Sequence, residues 1–216
     1  EDLRKNKRVH YQVGESKKQL KAELVFNTTG RVPSIEGLDL EKGNIAYSDR
    51  GITVNEFLQS TTNKNVYACG DVSDNAVPLT PFSSREGEIV AHNMESGNTI
   101  KADFPDFPSV TFTIPNLAQI GLSEEEAKKK FKNIKINFRD ASSFFNAKRI
   151  DDPIYAYKTI VNEDNDLIVG VHLIGAEAAE VINLFAIAIS KNLTVSELKD
   201  IIFAYPTWGG DIRYMF

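Results

Sequence analysis

Two short stretches of this chain have residue types and spacing that could do chemistry. The first is Gly70-Asp71-Val72, which ends the apolar run Asn65-Val66-Tyr67-Ala68-Cys69. A glycine lets the backbone approach a ligand closely, and an aspartate accepts hydrogen bonds from ligand hydroxyls. The same pair is also what an ordinary turn at a strand end needs for local backbone reasons. The second stretch is Leu79-Thr80-Pro81, where proline in a first turn marks the opening of a helix. The free amides of that turn, with roughly half a positive charge from the helix dipole, would favour partial negative charge such as the electron-rich edge of a reduced ring. A plain helix start with Thr80 as N-cap fits these residues equally well.

Other reactive side chains carry weaker signals. His10, His92 and His172 have no mutual metal spacing, and His172 lies in an apolar stretch where a structural role is the simpler expectation. Cys69 is the single cysteine, which excludes an internal disulfide or a CxxC site and fits a reducing, cytoplasmic setting. Its place in an apolar strand makes it structural. The chain has 216 residues, 42% hydrophobic, with 25 Lys+Arg against 30 Asp+Glu, as in a soluble globular protein with one or two cores. A net charge of -5 argues against nucleic acid as a partner, and no apolar run approaches the roughly 20 residues that span a bilayer. The opening Glu1-Asp2-Leu3-Arg4-Lys5 has neither a signal layout nor an initiator Met, so a piece of a longer chain is expected.

Several elements must position these groups. Alternation over residues 9–13, and again over 22–27, predicts short strands. Gly30, Pro33, Gly37 and Gly43 punctuate a connecting loop, residues 56–60 read as extended, and 65–69 are apolar enough for a buried parallel strand. Phe82, Ile89, Val90, Asn93 and Met94 space a helix from Thr80 to about Ser96. Pro105 and Pro108 then stiffen a linker, which places a domain boundary near residue 103. Beyond it, strands are expected over 110–113, 117–120, 134–138, 155–161 and 167–174, the last two pairing antiparallel. Ser123 with Glu126, and Thr194 with Glu197, have capping-box spacing for two helices. Between them a helix over 176–190 carries Val181, Ile182, Leu184, Phe185, Ile187 and Ile189, so much apolar circumference that burial on two sides is expected.

Taken in order, Thr28-Thr29-Gly30-Arg31-Val32-Pro33, Val66-Tyr67-Ala68-Cys69-Gly70-Asp71 and Leu79-Thr80-Pro81 resemble the second half of the pyridine nucleotide-disulfide oxidoreductase family, typified by glutathione reductase and dihydrolipoamide dehydrogenase. His172-Leu173-Ile174-Gly175 and Tyr205-Pro206-Thr207 resemble its C-terminal interface domain. The resemblance spans the chain and implies an α/β fragment of a nucleotide-binding region, followed by an α+β interface (dimerisation) domain with an antiparallel sheet. Residues 1–30 would end an NAD(P)-binding domain, 31–103 complete an FAD-binding domain, and 104–216 form the interface domain of a homodimer.

The resemblance further implies FAD and NAD(P)H as cofactors and a small-molecule disulfide or other electron acceptor as substrate. Asp71, with Gly70, would bond the ribityl or phosphate-side hydroxyls of FAD. The Leu79-Thr80-Pro81 amide region would face the flavin's pyrimidine edge, and Gly30 and Arg31 would lie at the junction of the nucleotide domains. Neither the family's GxGxxG turns nor its CxxxxC pair occurs in these residues, so the chain by itself is expected to be inactive. Where the disulfide reductases carry His-Pro followed by an acid, this chain has Tyr205-Pro206 followed by Asp211. Tyr205 could donate a proton or a hydrogen bond, oriented by Asp211, or could be an interface aromatic beside Trp208 and Phe203. An unperturbed tyrosine costs about 4 kcal/mol to ionise at pH 7, so it does not replace histidine simply. Two alternatives stay open: a stand-alone dimerisation or binding module, and a flavin oxidoreductase or transhydrogenase without disulfide chemistry.

Overall fold

The structure is a computed structural model that describes residues 7–75 and 77–216, so the opening residues 1–6 lie outside what is described. The chain divides into two compact units, Glu1–Asp103 and Phe104–Phe216.

In the first unit, β1 (Lys7–Val13) and β2 (Ser16–Ala22) form an antiparallel hairpin, with Val13 opposite Ser16. The second strand therefore precedes the expected one, and residues 24–27 run irregularly with Leu24, Val25 and Phe26 exposed. Strand pairing over 16–22 joins to β1 by a two-residue turn, which leaves 23–27 no partner strand among the described residues. A second small hairpin joins β3 (Tyr47–Ser48) to β4 (Gly51–Ile52). Ile52 packs with Leu40 and Ala68 in a small core.

Residues 65–69 are not a parallel strand. Gln59 and Tyr67 form an isolated antiparallel bridge, and the Ser60 and Ala68 amides bond to the Val66 and Leu58 carbonyls. The run thus satisfies its backbone against the segment just before it, as a local hairpin does. It leads into a 3₁₀ turn, Gly70–Val72, and then into α1 (Thr80–Ser96), whose buried face is Phe82, Glu86, Ile89 and Asn93. β4 lies hard against the turn. A Cβ on Gly51 would come within 2.3 Å of the Val72 carbonyl oxygen, and Ile52 bridges Ser73 in parallel.

The second unit is a five-stranded antiparallel sheet in the order β5-β6-β9-β8-β7, built from β5 (Ser109–Thr111), β6 (Asn116–Gly121), β7 (Ile134–Asp140), β8 (Ala156–Asn162) and β9 (Leu167–Gly175). The predicted pairing of the two central strands holds, with Tyr157 opposite Leu173. α2 (Glu124–Lys130) and α5 (Val195–Asp200) start with the full capping boxes of Ser123/Glu126 and Thr194/Glu197. A short helix, α3 (Phe145–Ile150), was not expected from sequence. The helix α4 (Ala178–Ser190) lays Ala178, Val181, Ile182, Phe185 and Ala188 into the sheet core. Its burial is one-sided within the chain, because Leu184 and Ile187 on the other side are exposed. Stacking that one apolar stripe on a sheet face makes a two-layer α+β unit.

Candidate functional site

The 3₁₀ turn Gly70–Val72 and the start of α1 build the first site. Gly70 has φ +67°, a left-handed conformation that glycine adopts without strain, and a Cβ there would meet Ser83 Oγ at 3.0 Å. The turn therefore rests directly on the first turns of α1. Asp71, with its side chain 47% exposed, receives one hydrogen bond at Oδ2, from Arg31 Nη1 at 2.8 Å. Among the described residues nothing bonds its Oδ1. Arg31 also donates to the Pro78 carbonyl at 2.6 Å. Gly30, Arg31, Pro33, Asp71, Asp74 and Pro78 line one groove of about 950 Å³.

At the helix start the N-cap is Leu79, not Thr80, and no side chain caps it. The Leu79 amide bonds to the Val77 carbonyl, the Phe82 and Ser83 amides both bond to the Leu79 carbonyl, and Pro81 has no N–H. The Thr80 amide is thus a backbone donor of this segment without a partner among the described residues. The groove brings together Gly30, Arg31 and Asp71, with Gly70 immediately beside Asp71; Leu79, Thr80 and Pro81 follow Pro78 at its edge without lining it.

The residues suited to a role at the C-terminus have different surroundings. Tyr205 is 78% exposed and its ring lies against Phe145 at 5.9 Å between centroids. Asp211 is buried in the 3₁₀ segment Gly209–Tyr214, and Asn146 Nδ2 donates to both of its carboxylate oxygens at 3.2 and 3.3 Å. No hydrogen bond joins Tyr205 to Asp211 among the described residues. Burial pushes the Asp211 carboxyl above its ordinary range, with the Asn146 bond pulling the other way. Burial, then the Asp211 charge, push the Tyr155 phenol far up. The Tyr155 ring meets Trp208 edge-on at 4.9 Å, and its hydroxyl and Asn146 Oδ1 are buried without a protein partner.

Residues 107–215 match the family model for the dimerisation domain of pyridine nucleotide-disulphide oxidoreductases, and residues 1–87 match the pyridine nucleotide-disulphide oxidoreductase model. The chain belongs to this family. It is 47% identical, over 82% of its length, to an uncharacterized 19.7 kDa protein in a mercuric resistance operon of Staphylococcus aureus, 99% of which it covers. It is 32% identical over 87% of its length to a glutathione reductase of Burkholderia cepacia. Among solved structures, the HOCl-induced flavoprotein disulfide reductase of Escherichia coli superposes with a TM-score of 0.85 at 23% identity, over 96% of this chain. The chain spans 42% of that glutathione reductase and 47% of that solved chain.

The chain combines an α/β unit with an antiparallel dimerisation domain, as the sequence led us to expect. Among the described residues no three of His, Cys, Asp and Glu gather to hold a metal, and no helix is long and apolar enough to cross a membrane. Sequence reading missed Glu86, Asn146 and Tyr155. A signal existed for Glu86, an acid on the same helical stripe as Phe82, Ile89 and Asn93. None existed for Asn146, which lies 65 residues from its partner Asp211.

Proposed function

We propose that this chain is the C-terminal portion of an FAD-dependent NAD(P)H oxidoreductase that reduces a disulfide or similar two-electron acceptor. Residues 1–30 then end the NAD(P)-binding domain, 31–103 complete the FAD-binding domain, and 104–216 form the interface domain. The observation that carries the reading is the groove shared by Gly30, Arg31 and Asp71, directly before the Thr80 amide, which has no acceptor among the described residues. Its chemistry fits the cofactor: an exposed carboxylate oxygen for ribityl or phosphate-side hydroxyls, and a helix-start donor for the pyrimidine edge. Bound FAD would supply the two-electron exchange with nicotinamide and acceptor, while the protein's residues bind and orient it.

On the same reading the dimerisation domain forms a homodimer, and the exposed Leu184 and Ile187 of α4 supply apolar surface for a twofold contact. Tyr205, exposed to solvent, presents a phenol that donates a hydrogen bond to the acceptor. Asp211, bonded to Asn146 and not to Tyr205, ties the C-terminal 3₁₀ segment to α3. A second reading, a self-contained dimerisation or binding module, is supported by the 19.7 kDa relative covered over nearly its whole length.

Titrating the purified chain with FAD, followed by flavin fluorescence, separates the two. Saturable binding that weakens in Asp71→Ala supports the flavin half-site. No saturable response, together with a stable dimer by analytical ultracentrifugation, favours the module.

A further inference from the structure

Glu86 is a carboxylate in the wrong place for one. It sits on the inner face of α1, 4% exposed, on the stripe that carries Phe82 and Ile89. A carboxylate removed from water is costly unless hydrogen bonds replace its hydration. No cation pairs with Glu86 among the described residues, and its partner is the Gly70 amide, which donates to Oε2 at 2.6 Å inside the unit. That short, charge-assisted bond ends on the residue just before Asp71. The carboxylate is also felt at the neighbouring residue, where burial and then the Glu86 charge push the Cys69 thiol up.

The helix that holds this clamp also carries the Thr80 amide at its first turn. Six residues of helix, about 9 Å of rise, separate the two positions. Asp71 and Thr80 belong to separate segments, the 3₁₀ turn and α1, and the Glu86 bond to Gly70 ties one to the other. We propose that Glu86 is a positioning residue that clamps Gly70 to α1 and so presets the Asp71 carboxylate relative to the first turn of that helix. This rests on the flavin half-site reading for the identity of the ligand, but the clamp itself does not. What the clamp needs is an acceptor oxygen at this position.

The test uses the full chain as wild type, Glu86→Leu and Glu86→Gln, with FAD as the probe. NMR reads the Gly70 amide and the Asp71 side-chain carboxyl, and fluorescence reads FAD affinity. Leu removes the acceptor: the Gly70 amide should shift upfield, the Asp71 carboxyl should move with it, and FAD should bind about tenfold more weakly or worse. Gln keeps an acceptor oxygen and should restore both signals and bring affinity to within about threefold of wild type. Asp71 signals and affinity that stay at wild-type values in Glu86→Leu overturn the proposal, as does a Gln variant as impaired as Leu.

If wild type shows no saturable FAD binding, the flavin reading fails by itself. The clamp is then still decided by whether the Asp71 carboxyl follows the Leu substitution. If Glu86→Leu does not fold, Glu86→Gln decides: an unmoved Asp71 signal supports the clamp, and a shifted one overturns it.

Discussion

Asp71 and Asp211 each follow a glycine within a short 3₁₀ segment, Gly70–Val72 in the first unit and Gly209–Tyr214 in the second. Their surroundings are opposite. The Asp71 side chain reaches the surface, where Arg31 holds one oxygen and the other faces a groove. Asp211 is 7% exposed, with both oxygens turned to Asn146 among aromatic rings. The backbone of the Asp71 turn is pinned from below by Glu86, which leaves its side chain outward. The Asp211 turn is instead stitched down from β8, whose Tyr157 and Thr159 hydroxyls donate to the Tyr214 and Met215 carbonyls. One Gly-Asp pair therefore leaves its carboxylate open to a groove, and the other turns it into the core. Sequence pattern alone gives them the same appearance.

The largest expected effect separates them by stability. Asp211→Leu removes the acceptor of a buried amide and should cost about 2–3 kcal/mol of unfolding free energy. Asp71→Ala removes a surface ion pair and should cost less than about 1 kcal/mol. Urea denaturation of both variants checks this. A comparable loss from Asp71→Ala would mean that the two carboxylates are equally structural.

The next effect is pH-dependent. Burial raises the Asp211 carboxyl in the folded state above its unfolded value, so the folded chain holds this proton more tightly. Its contribution is most favourable at low pH and declines as pH rises from about 3.9, the ordinary carboxyl value, through the raised folded value. Glu124 has the opposite sign: Lys128 and Lys158 lower it to about 2, and its contribution is lost as pH falls through that value. The difference between wild type and Asp211→Asn isolates the first term. That difference should shrink with rising pH across the window; a flat difference would show that Asp211 titrates normally in the fold.

Much of the scaffold was legible in the sequence because its signals are local. Helix α1 was expected over the residues where it forms, and both capping boxes were readable from spacing three residues apart. The failures come from partners that lie elsewhere. Residues 65–69 have the composition of a parallel strand, but they pair with residues 58–60. α3 is six residues long, with Phe144 as N-cap and no side-chain capping bond, so it carries neither periodicity nor a start signal. The exposure of Leu184 and Ile187 shows a limit of another kind, since an apolar circumference does not say which side a single chain covers. At the candidate sites, Asp71 and Asp211 were legible as acids after glycine, whereas the bonds that distinguish them come from Glu86, 16 residues from the Gly70 it holds, and Asn146, 65 residues from Asp211.

A smaller effect concerns how the exposed acid is held. Arg31 joins Asp71 and the Pro78 carbonyl across exposed surface, so Arg31→Ala should lower stability by about 0.5 kcal/mol at low salt and by less at 1 M salt. Thermal unfolding at two salt concentrations reads this. A loss insensitive to salt would mean that the Pro78 bond, rather than the charge pair, holds the groove.

A contrast between two neighbouring hydroxyls tests how closed the second site is. Tyr157 and Tyr155 stand two residues apart at the same end of β8, and the Tyr157 hydroxyl donates to the Tyr214 carbonyl while the Tyr155 hydroxyl has no protein partner. Removing a bonded hydroxyl costs about 1 kcal/mol, whereas removing a buried one without a protein partner relieves a desolvation penalty. Tyr157→Phe should therefore destabilise by about 1 kcal/mol, and Tyr155→Phe should be neutral or slightly stabilising. Tyr155→Phe keeps the ring, and with it the edge-on contact to Trp208, so the comparison reports on the hydroxyl alone. Equal losses in the two variants under urea would mean that the Tyr155 hydroxyl is satisfied in solution. In that case the Asp211 cluster admits solvent, and the contrast with the open Asp71 turn becomes one of degree.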